Sequence, residues 1–285
     1  MSLRKAVFLF VLASAAWLLS LFTFRQDEPF SFSRFLASVR PETAATQPAS
    51  VNLKPASLTV PILLYHYIED NTDERDFIRT SIATRPYFFD LQMKYLSTHG
   101  YTSIYLSELK SALEGKSRLP ERPVIITFDD GFRDYYENAF PILKKYNLRA
   151  IVYMIANHIG RSGNLTVEMI KEMVGSGIFE LGSHTLNHAS LARVDPTLAR
   201  QEIFESRRVL SETFNLDVKH FSYPDGSANE EVVQLVREAG YETAVSTKVG
   251  LIQTLEGLLT LKRLRVGNLG SGEFAALLEG QRIKE

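Results

Sequence analysis

The sequence has 285 residues, of which 45% are hydrophobic and 23% charged, a balance typical of a globular protein that buries a sizeable core. Its formal net charge of -1 argues against the basic surface with which proteins usually bind nucleic acid, so no nucleic-acid partner is expected. It contains no cysteine, which excludes disulfide scaffolds, thiol nucleophiles and cysteine-ligated zinc and leaves His, Asp and Glu as ligands for any transition metal.

The N-terminus carries a hydrophobic segment. Arg4 and Lys5 precede an uninterrupted apolar run over 6–24 that ends at Arg25. A helix of about 19 residues spans about 28 Å, close to the hydrocarbon thickness of a bilayer. The positive charge before the run favours an uncleaved anchor that exports the rest of the chain. The Ala-Ser-Ala tripeptide at 13–15 favours a cleaved signal peptide instead, and a buried core helix is the third interpretation.

The sequence divides into three predicted parts. Residues 1–25 form a signal-anchor or signal peptide, and 26–59 form a flexible tether that is rich in Pro, Ser, Thr and Ala. Residues 60–285 form the predicted globular domain. We therefore expect contact with the membrane through the N-terminal segment, and a membrane-anchored or secreted protein whose globular domain is extracytoplasmic, in the bacterial periplasm or at the cell surface.

Strands and helices alternate along the predicted domain. The predicted strands cover 60–65, 124–127, 150–154, 179–183, 220–223, 243–246 and 261–266. The predicted helices cover 88–99, 106–113, 135–146, 167–174, 196–214 and 230–239. Thr166 and Asp195 are the expected N-caps of two of these helices, and Pro141 either kinks the helix at 135–146 or opens a second segment. The alternation predicts an α/β fold with parallel strands and helical crossovers, as an open sheet or a barrel.

Three polar clusters fall where predicted strands end. The first is Thr127-Phe128-Asp129-Asp130-Gly131. Two adjacent carboxylates repel each other unless a cation offsets their charge, and Gly131 permits a sharp turn after them. The alternative is an ordinary solvated Asp-Asp-Gly turn.

The second cluster is Gly182-Ser183-His184-Thr185-Leu186-Asn187-His188. Two histidines four residues apart share one face of a helical turn and can reach one ion. The third cluster, Phe221-Ser222-Tyr223-Pro224-Asp225-Gly226, is a strand that runs into a turn and by itself requires no chemistry.

In this order the three motifs resemble those of the NodB-type polysaccharide deacetylases of carbohydrate esterase family 4. The resemblance covers at least 122–250 and extends back to residue 60. It implies an irregular (β/α) barrel of about seven strands. It also implies that Asp129 is the catalytic base and that Asp130, His184 and His188 bind a metal.

The chemistry of these residue types agrees with that assignment. One carboxylate and two imidazoles leave coordination positions open, as a catalytic metal site requires. A metal-activated water then attacks the acetamide carbonyl while the second carboxylate accepts its proton. A backbone N–H in the segment of Tyr223, Pro224 and Asp225 is the expected oxyanion donor or substrate contact. Zn²⁺ suits the histidine ligands, and Co²⁺, Ni²⁺ or Fe²⁺ fits the same donors.

The chain departs from the family pattern at three points. Ser222 stands where many members carry an Arg paired with the catalytic Asp, and Asp225 stands where a Tyr is common. The C-terminal Leu-x-His motif is missing, since no histidine follows His220. The segment that leads from Pro61 to His66 resembles the opening of a permuted subgroup that includes poly-N-acetylglucosamine deacetylases. That resemblance implies that His66 is the general acid; the alternative is a strand-end histidine packed on a neighbouring tyrosine.

The predicted function is removal of N-acetyl groups from an extracytoplasmic amino-sugar polysaccharide by a metal-dependent hydrolase with an Asp base and a His acid. Three alternatives remain open. Two keep the same site, in an O-acetyl esterase or a peptidoglycan deacetylase. The third is a catalytically silent carbohydrate-binding component of an export complex.

Overall fold

The computed structural model describes residues 55–71, 73 and 75–281. The predicted signal-anchor or signal peptide over 1–25 and the part of the predicted tether over 26–54 lie outside these residues. Among the helices of the described residues, none combines the length and the apolar character needed to cross a bilayer.

The chain alternates between strands and helices as the sequence predicts. The strands are β1 (Leu58–Thr59), β2 (Ile62–Tyr65), β3 (Thr102–Ser103), β4 (Pro123–Phe128), β5 (Ala150–Met154), β6 (Phe179–Ser183), β7 (His220–Ser222), β8 (Thr243–Val249), β9 (Ile252–Gln253) and β10 (Leu261–Arg265). The α-helices are α1 (Phe77–Ile82), α2 (Pro86–Thr98), α3 (Leu106–Leu113), α4 (Phe140–Tyr146), α5 (Val167–Gly175), α6 (Pro196–Phe214), α7 (Glu230–Glu238) and α8 (Ser271–Leu278).

Seven parallel strands close into a barrel. The order around the ring is β2, β4, β5, β6, β7, β8 and β10, and β10 pairs with β2 to complete it. The barrel of about seven strands that the resemblance implies is therefore confirmed. Outside this ring, the short β3 pairs with the start of β4. At the end of the range 26–59, β1 pairs with β9 in a separate antiparallel sheet.

Side chains alternate between the two faces of the barrel wall. On β4, Val124 and Ile126 belong to the large cluster that contains the helices, whereas Ile125 belongs to a second cluster. That second cluster gathers inward-facing residues of several strands, including Ile62, Ile151, Val245 and Leu261. Because the side chains of a strand alternate, Thr127 and Asp129 follow Ile125 on the inner face.

Helix α3 covers the amino-terminal end of the barrel. Its N-cap residue Tyr105 donates a hydrogen bond from its hydroxyl to the carbonyl of Gly177, just before β6, at 2.7 Å. Lys110 pairs with Glu242, just before β8. The polar loops lie at the opposite end, where the strands finish, as in other (β/α) barrels.

The local signals identified in the sequence explain the starts of three helices, α4, α5 and α6. Thr166 caps α5 by accepting a hydrogen bond from Met169, and Asp195 caps α6 by accepting one from Thr197. A π-helical turn occupies Tyr135–Ala139, and Pro141 lies in the first turn of α4, so it opens a second segment. The sequence analysis missed α1, which buries none of its residues, and α8, whose first turn contains Gly272.

Candidate metal centre and active site

The carboxyl ends of the barrel strands bring the predicted site residues to one edge. His66 directly follows β2, Asp129 and Asp130 follow β4, and His184 follows β6. The segment that begins at Tyr223 follows β7. The polar motifs are far apart in the sequence, but parallel pairing places all of these strand ends side by side.

Asp130, His184 and His188 form the one group of at least three His, Cys, Asp or Glu side chains among the described residues whose ligand atoms converge, all within 4.8 Å. The Nε2 atoms of both histidines lie 3.4 Å from Oδ1 of Asp130. Two ligands of one tetrahedral ion at the usual bond lengths are about 3.3 Å apart. The Asp130 Oδ1 atom is buried and accepts no hydrogen bond from the described residues. These donors fit a divalent cation in spacing and in chemistry.

The turn that carries the two histidines differs from the prediction. A helical turn was expected, but Thr185 and His188 adopt left-handed backbone conformations with φ of 67° and 64°. The Thr185 hydroxyl accepts a hydrogen bond from the His188 N–H at 2.9 Å and closes the turn. The expectation of a helical face was therefore wrong, although both imidazoles still reach Asp130.

The tautomer of His184 follows from its hydrogen bond. Its Nδ1 atom lies 2.8 Å from the carbonyl oxygen of Ser222. Because a carbonyl oxygen only accepts, Nδ1 carries a proton, and in the neutral imidazole Nε2 then keeps a lone pair for a cation beside Asp130. His184 is almost fully buried. Burial would lower the pKa of His184, but the carboxylates of Asp129 and Asp130 raise it.

The backbone at the carboxylate pair is also unusual. Asp130 has a φ of 77° and the next residue, Gly131, a φ of 75°. The φ of Gly131 favours glycine, and a Cβ atom there would also lie 2.3 Å from the end of the Met154 side chain, which would have to move. Left-handed conformations at residues other than glycine are uncommon and concentrate at functional sites.

Asp129 lies behind the metal centre and is paired with an arginine that the sequence analysis left unassigned. Arg263 on β10 donates to both carboxylate oxygens, from Nη1 to Oδ1 at 2.8 Å and from Nη2 to Oδ2 at 2.7 Å. Both side chains are almost fully buried. Burial would raise the pKa of Asp129, but the Arg263 guanidinium and the His184 imidazole hold it below its ordinary value. Asp129 therefore remains a carboxylate.

Ser222 is the third member of this group. Its hydroxyl donates to Oδ2 of Asp129 at 3.1 Å and accepts from Nη2 of Arg263 at 3.2 Å. The guanidinium that the resemblance led us to expect at the position of Ser222 thus comes from a different strand. The available signal was the alternation in β10, where Leu261 and Arg263 share the inner face of a predicted strand.

His66 lies at the edge of the same group. It is half-buried, and its ring forms no hydrogen bond with any of the described residues. Burial lowers the pKa of His66, whereas the nearby carboxylates of Asp129 and Asp130 raise it. The two tyrosines beside it have other aromatic partners: Tyr65 is buried against Phe89 and Phe128, and Tyr67 stacks on Phe132.

The three predicted oxyanion or substrate residues have different capacities. The N–H of Tyr223 already donates to the carbonyl of Val245, and Pro224 has no N–H. Asp225 has a left-handed φ of 56°, and its N–H donates to no acceptor among the described residues. Its carboxylate accepts from Ser190 and raises the pKa of His188, which burial lowers. Of the three, Asp225 therefore retains a backbone donor, and it lies near His188.

Comparison with known proteins relates the chain to polysaccharide deacetylases. The polysaccharide deacetylase family profile matches residues 116–244. The chain is 34% identical over 230 residues to the Bacillus subtilis (strain 168) protein named "Putative polysaccharide deacetylase YxkH", which covers 80% of this chain and 78% of that relative. It is 30% identical over 171 residues to the poly-beta-1,6-N-acetyl-D-glucosamine N-deacetylase of Staphylococcus aureus (strain N315), which covers 55% of this chain and 59% of that relative.

A solved structure supports the same relationship. The Streptococcus pyogenes deacetylase PplD, in complex with acetate, superposes with a TM-score of 0.72. It shares 29% of its sequence with this chain, and the match covers 78% of this chain and 98% of that protein. The shared fold thus includes almost the whole of that deacetylase and the larger part of this chain.

Proposed function

Since this chain belongs to the polysaccharide deacetylase family, we propose that it is a metal-dependent hydrolase that removes N-acetyl groups from an extracytoplasmic polysaccharide containing N-acetylhexosamine. The observation that carries the proposal is the position of an ionised, arginine-paired Asp129 directly beside the convergent donors of Asp130, His184 and His188. A hydrolase of amides needs a cation, a proton acceptor and a proton donor around one carbonyl group.

In this proposal Asp130, His184 and His188 hold the cation, with Zn²⁺ favoured by the two imidazoles and Co²⁺, Ni²⁺ or Fe²⁺ as alternatives. When bound, such an ion supplies Lewis acidity, which makes water a usable nucleophile near neutral pH and offsets negative charge on the substrate carbonyl. Three protein ligands leave open positions for water and substrate.

The side chains of the protein perform the proton transfers. Asp129 accepts a proton from the attacking water, and Arg263 and Ser222 fix the orientation of its carboxylate during that step. His66 donates a proton to the leaving amine, which would otherwise depart as an unstable anion. The free N–H of Asp225 is the backbone donor for the carbonyl oxygen as it becomes negative.

Two observations support the substrate class and the location. The staphylococcal relative is named for poly-beta-1,6-N-acetyl-D-glucosamine, a polymer of an N-acetylhexosamine. The apolar run over 6–24 with basic residues before it supports export through the membrane. An extracytoplasmic domain also suits a polysaccharide substrate, which is itself found outside the cytoplasm.

The experiment that tests the proposal combines metal analysis with acetate release. Purified protein is stripped with a chelator, reloaded with one metal at a time and incubated with oligomers of N-acetylglucosamine in β-1,6 and β-1,4 linkage, with peptidoglycan fragments and with an O-acetylated xylan. We expect one bound ion per chain and acetate release from the N-acetylated oligomers. Release from O-acetylated xylan alone would make the chain an esterase, release from peptidoglycan fragments alone would change the substrate, and no release with a full metal site would favour a silent binding protein.

A further inference from the structure

Glu202 on α6 is a buried carboxylate that faces the turn between His184 and His188. Its Oε2 atom accepts hydrogen bonds from two backbone donors, the N–H of Leu186 at 3.0 Å and the N–H of Asn187 at 2.7 Å. Its Oε1 atom accepts from Nδ2 of Asn187 at 2.7 Å. Only 3% of Glu202 is exposed, and all three donors belong to Leu186 and Asn187, two of the three residues between His184 and His188.

The turn needs such support because its backbone is strained. Thr185 and His188 both occupy left-handed conformations, which a β-branched residue such as Thr rarely adopts. Strained conformations of this kind persist only where the surrounding structure determines them. The carbonyl groups of Thr185 and Leu186 are already bonded to the N–H groups of Ala156 and Asn157, so one side of the turn rests on the segment after β5. Glu202 holds the other side.

The charge of Glu202 is otherwise uncompensated. Among the described residues, no Lys, Arg or His forms an ion pair with it. Burial of a carboxylate is costly unless hydrogen bonds satisfy its oxygens. One helical turn further along α6, Ser206 accepts a hydrogen bond from Ser183, the residue before His184. One face of α6 therefore contacts residues 183, 186 and 187 of the segment that presents the two histidines.

We propose that Glu202 is a positioning residue for the metal centre, which fixes the turn 184–188 so that both imidazoles point at one cation. Its three hydrogen bonds preorganise the donors before the ion arrives. Residues that orient metal ligands typically change metal affinity about 10–100-fold when they are replaced. The inference rests on the proposed metal-dependent function.

The test is a measurement of Zn²⁺ affinity by competition with a chelator, with no substrate present. In Glu202→Gln the side-chain oxygen still accepts from the N–H groups of Leu186 and Asn187. The side-chain NH2 group of the new glutamine then faces the NH2 group of Asn187, so two donors oppose each other. We expect the dissociation constant for Zn²⁺ to rise about 10–100-fold. The double variant Glu202→Gln with Asn187→Asp restores a donor and an acceptor with their roles exchanged, and we expect it to recover most of the affinity.

Two comparisons separate positioning from a general loss of structure. Glu205→Gln is the matched control, because Glu205 lies on the same helix but pairs with Arg208 at the surface. The Glu205→Gln variant should bind Zn²⁺ with the affinity of the wild type. Thermal unfolding of the metal-free proteins should show similar midpoints for wild type and double variant. Unchanged affinity in Glu202→Gln, or weakened affinity that the exchange does not recover, overturns the inference. Failure of the wild type to bind Zn²⁺ or any other divalent ion counts instead against the proposed function.

Discussion

Arg263 on β10 and Asp129 at the end of β4 form a bidentate ion pair inside the barrel, where β2 lies between the two strands. The two residues are 134 positions apart in the sequence. The guanidinium also donates to the carbonyl of Ser246 at 2.9 Å and to the Thr127 hydroxyl at 3.2 Å, so its orientation is fixed on both sides. The pair therefore joins the last strand of the barrel to the strand that carries both active-site carboxylates.

Replacement of Arg263 by Gln should raise the pKa of Asp129 and destabilise the protein, because it leaves a buried carboxylate without its counterion. Without the guanidinium, burial raises the pKa of Asp129, so the acid limb of the profile of kcat/KM against pH should move to higher pH. Removal of one partner of a buried pair typically costs about 3–5 kcal/mol of stability. Urea unfolding at pH 7 measures that loss, and acetate release between pH 4 and 9 measures the shift.

Arg265→Gln is the control for this experiment, because Arg265 lies on the same strand and is exposed. It should leave both the free energy of unfolding and the pH profile close to those of the wild type. An acid limb at the same pH in Arg263→Gln and in the wild type would show that Asp129 does not limit the reaction at low pH.

Two substitutions at the motifs after β4 and β6 should separate metal binding from proton transfer. His184→Ala removes a ligand, so both the bound ion and acetate release should be lost. Asp129→Asn keeps the three ligands but cannot accept a proton, so metal content should stay near the wild-type value while kcat falls by a factor of about 100–10,000. Metal analysis and acetate release on the same samples give both values. Near-wild-type turnover in Asp129→Asn would remove Asp129 from the role of base.

The role of His66 as general acid can be tested with a substrate whose leaving group departs without a proton. In His66→Ala, hydrolysis of an N-acetylated oligosaccharide should fall about 100-fold or more, because the amine must leave protonated. Hydrolysis of 4-nitrophenyl acetate should fall far less, because nitrophenolate leaves without a proton. His99→Ala is the control, since His99 is exposed and stacks on Tyr95 away from the strand ends. Equal losses on both substrates would indicate a structural role for His66.

The sequence was informative wherever a local signal sufficed. Apolar runs and caps such as Thr166 and Asp195 predicted the main strands and helices, because these features depend on neighbours in the chain. The motif at His184 and His188 predicted that the two imidazoles can reach one point, and they do converge on Asp130. It did not predict the left-handed turn, which depends on contacts with Glu202 and with the segment after β5.

Arg263 shows why other features stayed hidden. Alternation along the predicted strand puts Arg263 and Arg265 on the same face as Leu261, so the local pattern does not tell which of the two arginines reaches a carboxylate. Only closure of the barrel, with β10 beside β2 and close to β4, places Arg263 against Asp129. A long-range ion pair of this kind is set by topology, which periodicity and motif spacing do not determine.

Asp134 provides a pH-dependent prediction outside the metal ligands. It is buried beneath the segment that carries His66, and its Oδ2 atom accepts from the N–H of Ile68 at 2.7 Å. Its Oδ1 atom is buried and has no partner among the described residues. Burial raises its pKa to about 7, helped by the charges of Glu69 and Glu137 and opposed by the Ile68 N–H and by Arg79.

The dependence of stability on pH follows from the difference between the pKa of Asp134 in the folded protein and in the unfolded chain. The folded protein holds a proton on Asp134 up to about pH 7, whereas the unfolded chain releases it near the ordinary pKa of 3.8. Stability from this group is therefore complete below about pH 4 and declines as the pH rises to about 7. Since one pKa unit corresponds to about 1.4 kcal/mol, the decline amounts to at most about 4 kcal/mol.

Asp134→Asn should remove this decline. The amide oxygen still accepts from the Ile68 N–H, and the side chain carries no charge at any pH, so the variant should gain stability relative to the wild type as the pH rises from 4 to 8. Urea unfolding at four pH values gives the difference in the free energy of unfolding between the two proteins, in which contributions from other titrating groups cancel. A difference that stays constant across this range would show that Asp134 is already ionised in the folded protein, and that the buried oxygen has found a donor such as water.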